Sequence, residues 1–148
     1  MLLRTLIVDD EQVARRVLRE GLESIAGVEI VAEAESGGAA LDEIARHHPD
    51  LVLLDLQMPT MSGPDVVSRL KCGEHMPVIV IVTAYDQYAL QAFDAGAIDY
   101  LVKPVRQERL AEVIERVRRL TNREAIERIA HLQDLTGPSG GHLIRSLP

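Results

Sequence analysis

Four short apolar runs in this chain each end on a side chain that can bind or react. LRTLIV ends on Asp9 and Asp10, DLVLL on Asp55, VIVIV on Thr83, and IDYLV on Lys103. Runs this short and uninterrupted are the pattern of strands buried on both faces, as in a parallel sheet covered by helices on either side. Such sheets bind their ligands outside the carboxyl ends of the strands. If the strands are neighbours, Asp9, Asp10, Asp55, Thr83 and Lys103 converge on one small surface. Three carboxylates, a hydroxyl and an ammonium there describe a cation site beside a nucleophile.

Helical signals fill the spaces between these runs. Glu11 to about Ala26 carries Val13, Val17, Leu18, Leu22 and Ile25 at helical spacing, and Gly27 stops it. VEIVAEA follows as a second strand. Ser36 is placed to cap a helix from about Gly37 to Arg46 with Ala40, Leu41 and Ile44 inward, and Pro49 closes the next loop. Further helices are expected at Gly63 to about Leu70, Asp86 to about Asp94, and Gln107 to about Leu120. Five strands alternating with five helices imply a doubly wound α/β sheet, for which the flavodoxin-like order 2-1-3-4-5 is a common solution. That order sets the first and third strands side by side at a topological switch point, where Asp9, Asp10 and Asp55 would meet. Hard divalent cations take such oxygen ligands.

Composition narrows the classes. With 148 residues, 47% of them hydrophobic, the chain suits one domain and a short appendage. A lone cysteine, Cys72, excludes an internal disulfide framework, no secretory leader pattern opens the chain, and no apolar stretch is long enough for a membrane span. The expected location is the cytoplasm. Residues 1–103 hold 8 basic and 17 acidic side chains (−9), whereas 104–148 hold 8 and 6 (+2), so the body repels nucleic acid. Arg116, Arg118, Arg119 and Arg123 fit a solvated helix face. The histidines at 47, 48, 75, 131 and 142 lack metal-ligand spacing.

LIVDDE, LVLLDLQMPTMSG, VIVTAY and DYLVKPV occur in the order and spacing of signatures found in one family. Over residues 1 to about 120 the chain resembles the receiver domain of a two-component response regulator. The resemblance implies that Asp55 accepts a phosphoryl group from the phosphohistidine of a sensor histidine kinase or from a small phosphodonor, and loses it slowly. It implies Mg²⁺ held by Asp10, Asp55 and the carbonyl of Gln57, with Asp9 acting through water. Lys103 and Thr83 would contact phosphoryl oxygens, and Thr83 with Tyr100 would form the switch. The Lys103-Pro104 bond is expected to be cis. Gln57 and Tyr85 lie two residues after Asp55 and Thr83, where side chains can screen a phosphoryl group from water.

YDQYALQAFDAGAIDYLVKPV is similar to receivers attached to LytTR-class DNA-binding domains. Beyond Leu120, Thr121-x-x-Glu124 matches a capping box that either starts a new helix or lies within one long helix to about Leu135. A Gly- and Pro-containing stretch at 137–141 then reads as a linker, and HLIRSLP as the start of a strand. The expected organisation is a receiver at 1–120 and, at 121–148, a helical linker with the start of a truncated output domain. Leu110, Val113, Ile114 and Val117 form a core stripe. Ile126, Ile129 and Ala130 form a second, suited to pairing with another copy in a homodimer. DNA would be reached only through the missing domain. The alternatives are a stand-alone receiver acting on a protein partner, and a haloacid-dehalogenase-type phosphohydrolase. The latter wants a second acid two residues after its nucleophile, where this chain has Gln57.

Overall fold

The computed structural model describes residues 2–70, 76–84 and 97–136, the last segment with side chains as far as Thr121. The helix expected at 86–94, Tyr85, and the linker and strand expected from 137 onward lie outside the described residues. The chain divides into two compact units, 1–114 and 115–148.

The first unit alternates β1 (Leu3–Val8), α1 (Gln12–Glu23), β2 (Val28–Ala34), α2 (Gly37–His47), β3 (Leu51–Asp55), α3 (Gly63–Leu70), β4 (Val78–Thr83) and β5 (Asp99–Val102), and contains the start of α4 (Gln107–Thr136). All five strands are parallel in the order β2-β1-β3-β4-β5. This is the expected flavodoxin-like sheet, and β1 and β3 lie at its centre.

Alternation along the strands divides the core into two layers. Leu6, Val8, Val52, Leu54, Ile79 and Ile81 pack with Ala40 and Ile44 of α2 and Val66, Val67 and Leu70 of α3. The opposite parity, Ile7, Leu53, Val80 and Leu101, is equally buried, as are Leu18 and Leu22 of α1 and Leu110, Val113 and Ile114 of α4. α1 and α4 touch at Gly21, where a β-carbon would stand 2.7 Å from the Leu110 side chain, and Gln107 Nε2 donates to Gly21 O at 3.0 Å. α1 is shorter than expected and buries only Leu18 and Leu22, while Val13 and Val17 remain exposed. The two valines sit one turn apart on a separate stripe, about 140° round the helix from the buried one.

Local chemistry fixes the other helices. Ser36 Oγ accepts the Ala39 N–H at 3.1 Å as the N-cap of α2. His48 ends that helix in the left-handed region (φ 47°), and Arg4 Nη1 donates to the His47 carbonyl at 2.6 Å, satisfying an otherwise orphaned acceptor. α4 is a single helix rather than two. Thr121 does not restart it: its hydroxyl donates back to Val117 O at 2.9 Å, a bond made inside a continuing helix. In the second unit the described structure is this helix, residues 115–136.

α3 begins where the chain turns back against β3. A β-carbon on Gly63 would lie 2.7 Å from the Asp55 carbonyl oxygen and 3.0 Å from Leu56 Cα, both backbone atoms with little room to give. Gly63→Ala is therefore expected to lose about 1–3 kcal/mol in urea unfolding, as overpacking typically does. An unchanged midpoint would show that the β3–α3 connection yields freely.

Candidate functional site

Strand register assembles the site. β1 and β3 pair Val8 with Leu54, so the next residues, Asp9 and Asp55, stand side by side. β3 pairs Asp55 with Val82, which leaves Thr83 one residue beyond. β4 pairs Thr83 with Val102, and the N–H of Lys103 donates to Thr83 O at 2.7 Å. All the strand-end residues expected from the sequence are thus brought together at the carboxyl edge, with exposed Asp10 next to buried Asp9.

Asp9 is fully buried. Its N–H donates to Ala34 O at 3.0 Å, and its Oδ1 accepts the Glu11 N–H at 2.9 Å. Its Oδ2 lies 2.7 Å from Lys103 Nζ. That ion pair neutralises charge, yet no donor among the described residues meets Oδ2 in hydrogen-bond alignment. Asp55 Oδ1 accepts the Gln57 N–H at 3.2 Å, and Oδ2 stands 3.8 Å from Lys103 Nζ. The ammonium therefore sits between two buried carboxylates, and Glu11 is 3.8 Å away.

Burial, followed by the charge of Asp9, pushes the Asp55 carboxyl up to about 6, against the opposing pull of Lys103 and the Gln57 N–H. Burial by itself would lower Lys103, but Asp9, Asp55 and Glu11 outweigh it and the net direction is upward. One oxygen from each of Asp9, Asp10 and Asp55 lies within 4.8 Å of the others. Three carboxylates against one ammonium leave an excess of two negative charges, and a buried oxygen lacks an aligned donor. The group fits Mg²⁺, a hard cation that takes carboxylate oxygens.

Thr83 is buried at the end of β4. Tyr100 pairs with Ile81 and so lies further back along the strands; its half-buried ring packs on the α2–α3 side of the core. Arg109 Nη2 donates to Tyr100 O at 3.0 Å and to buried Asp99 at 2.8 Å, with its guanidinium carbon 6.0 Å from the Tyr100 ring centroid. Lys103-Pro104 is cis, as expected.

Beyond Asp55 the loop tightens. Met61 N–H donates to Pro59 O at 2.8 Å around Thr60, whose φ of 72° makes this a positive-φ γ-turn, a strained form. A β-branched residue is poorly suited to that region. Thr60→Gly is expected to stabilise the fold by about 1 kcal/mol, seen as a higher melting temperature, because strain relief exceeds the added unfolded-state entropy. A lower melting temperature would mean that Thr60 contributes more than it strains.

Sequence reading overlooked three residues here. Glu11 entered only as a helix start, and Gly63 only as a helix boundary. Arg15 donates from Nη1 to Asp9 O at 2.6 Å and had no signal beyond its charge.

The family model for the response regulator receiver domain matches residues 5–115. An uncharacterised response regulatory protein of Yersinia pestis is 50% identical over 118 residues, which is 80% of this chain and 49% of that protein. The sensory transduction protein LytT of Bacillus anthracis is 42% identical over 118 residues (80% and 48%). The transcriptional regulatory protein BtsR of Salmonella typhi is 37% identical over 143 residues (95% and 59%). The chain spans about half the length of the first two. Among solved structures, the receiver domain of the Geobacillus stearothermophilus response regulator AraT superposes with a TM-score of 0.75 at 34% identity, covering 84% of this chain and 99% of that one. None of the helices described is long and apolar enough to cross a membrane. From its carboxylate-lined strand ends to its sequence relatives, the chain belongs to the response regulator receiver domain family, alongside regulators of the LytT type.

Proposed function

We propose that Asp55 is the phosphoryl acceptor of this receiver. The observation that carries the reading is the buried Asp55 carboxylate, 3.8 Å from the Lys103 ammonium and grouped with Asp9 and Asp10. In the transfer, an Asp55 oxygen bonds to phosphorus as the phosphorus–nitrogen bond of a kinase phosphohistidine breaks, and the imidazole departs with the electron pair. An incoming phosphoryl group meets the repulsion of three carboxylates, so positioning and neutralisation dominate the chemistry. Asp10, Asp55 and the Gln57 carbonyl would hold Mg²⁺, with Asp9 acting through water. When bound, the ion offsets carboxylate charge and polarises a phosphoryl oxygen. Lys103 neutralises a second oxygen, and Thr83 donates its hydroxyl to the phosphoryl group.

The wider reading is a cytoplasmic transcription regulator: a receiver at 1–120, a linker within 121–148, and a DNA-binding output domain beyond. It is supported by the half-length match to the relatives and by BtsR being a transcriptional regulatory protein. Thr83 and Tyr100, two register steps apart on paired strands, carry the phosphorylation state toward a homodimer. A stand-alone receiver acting on a protein partner is the second reading.

Intact-mass measurement with acetyl phosphate tests the acceptor. The chain is expected to gain one phosphoryl group with Mg²⁺ and none with EDTA, and equal gain in both would remove the metal from the reading. Sedimentation with and without beryllofluoride tests the homodimer, which a monomer in both states at tens of micromolar would exclude.

A further inference from the structure

We propose that Arg15, braced by Glu33, is a positioning residue that orients Asp10 toward Asp55. The inference rests on the reading of Asp9, Asp10 and Asp55 as a Mg²⁺ site.

The placement of Arg15 is electrostatically unexpected. It lies in the first turn of α1, beside the positive end of the helix dipole, where acidic side chains are favoured. α1 has no acidic residue in that turn and no side-chain cap. Arg15 is also a cation next to a proposed cation site, so charge alone would not select it. Its contacts supply the reason. Nη1 donates to the Asp9 carbonyl at 2.6 Å, and Nε pairs with Glu33 Oε1 at 3.1 Å. The side chain is only 14% exposed.

Glu33 is itself held. Its backbone lies in the β2 ladder opposite Ile7, and its other carboxylate oxygen pairs with Arg19 one turn along α1. The next residue, Ala34, accepts the Asp9 N–H at 3.0 Å. Asp9 is therefore gripped from the β2 side at both its N–H and its carbonyl. The Asp9 carbonyl belongs to the peptide that leads into Asp10. Among the described residues the Asp10 side chain makes no hydrogen bond or ion pair of its own, so the launch point of its Cα–Cβ bond toward Asp55 rests on the backbone that Arg15 fixes. Partners outside the ligand set that orient ligands in this way typically contribute 10–100-fold to metal affinity.

Charge and geometry predict opposite outcomes, which makes the test decisive. Removing a cation beside the site should by Coulomb's law tighten Mg²⁺ binding, whereas losing the orientation of Asp10 should weaken it. Calorimetric Mg²⁺ titration of this chain is compared for wild type, Arg15→Met, Arg15→Lys and Asp10→Asn, with thermal melts confirming folding. Arg15→Met is expected to bind Mg²⁺ about tenfold more weakly. Its phosphorylation by acetyl phosphate should slow at low Mg²⁺ and recover at saturating Mg²⁺. Arg15→Lys keeps the charge but cannot serve both partners, and should also bind more weakly. Unchanged or tighter binding in either folded variant, with wild type binding and Asp10→Asn impaired, overturns the positioning role and spares the site. No Mg²⁺ binding by wild type overturns the site and the inference together.

Discussion

Asp55→Asn is expected to abolish phosphoryl uptake and, in metal-free buffer, to make the protein more stable than wild type. The first effect follows from losing the nucleophilic oxygen. The second follows from the carboxyl being pushed up to about 6 in the fold, from 3.8, by burial and by Asp9. Between those values the native wild type keeps a proton that the unfolded chain has released. Wild-type stability therefore falls as pH rises through that window, by about 3 kcal/mol at most, and stays lower above it. Asparagine is neutral throughout. Its advantage should be absent near pH 4, grow to pH 6, and level off as a melting shift of roughly 6–12 °C. Melting curves in EDTA at pH 4 and 7.5 check this. A wild type and variant that melt together at pH 7.5 would show that the site already tolerates the Asp55 charge.

Lys103→Met is expected to be the most destabilising single change at the site. It removes the ammonium 2.7 Å from a fully buried carboxylate and 3.8 Å from another. Stranding a buried charge in this way costs about 3–5 kcal/mol, which urea unfolding in EDTA would register. The rate of phosphoryl uptake should fall by about 10²-fold, as for loss of one fixed donor to developing charge. Adding Asp9→Asn should restore much of the stability, because the penalty is the stranded Asp9 charge, but none of the rate. Strict additivity of the two substitutions in stability would mean that Lys103 and Asp9 are not energetically coupled.

β1, β3 and β4 were legible because they are buried on nearly every residue, so apolar runs alone marked them. β2 falls on VEIVAEA as read, and β1, β3 and β4 end at the residues expected. Handedness left few strand orders, and the common one, which the structure has, brings Asp9, Asp55, Thr83 and Lys103 together. α1 was harder. Val13, Val17, Leu18 and Leu22 share helical spacing, but only the last two are buried, and hydrophobicity cannot choose between two apolar stripes on one helix. Thr121-x-x-Glu124 satisfies a capping pattern inside an unbroken helix, since a hydroxyl bonds equally well to a carbonyl one turn back. The grip of Arg15 on the Asp9 carbonyl left no trace in the sequence, because a guanidinium reaching a backbone atom requires only length and a donor.

β5, four residues long, is an edge of the sheet, and among the described residues β4 is its one strand neighbour. A strand paired on one side gives up fewer hydrogen bonds on opening than one paired on both, so β5 is expected to open at a lower free energy than β1 or β3. Asp9 and Asp55 are borne by β1 and β3, each flanked by strands on both sides. The nucleophile thus rides on a strand paired on both sides, and the lysine that answers it follows a strand paired, among the described residues, on one. A phosphoryl group drawing on Lys103 would convert a local change of charge into a change in how often β5 detaches. Its message could then pass as a frequency of opening, with little displacement of the average backbone.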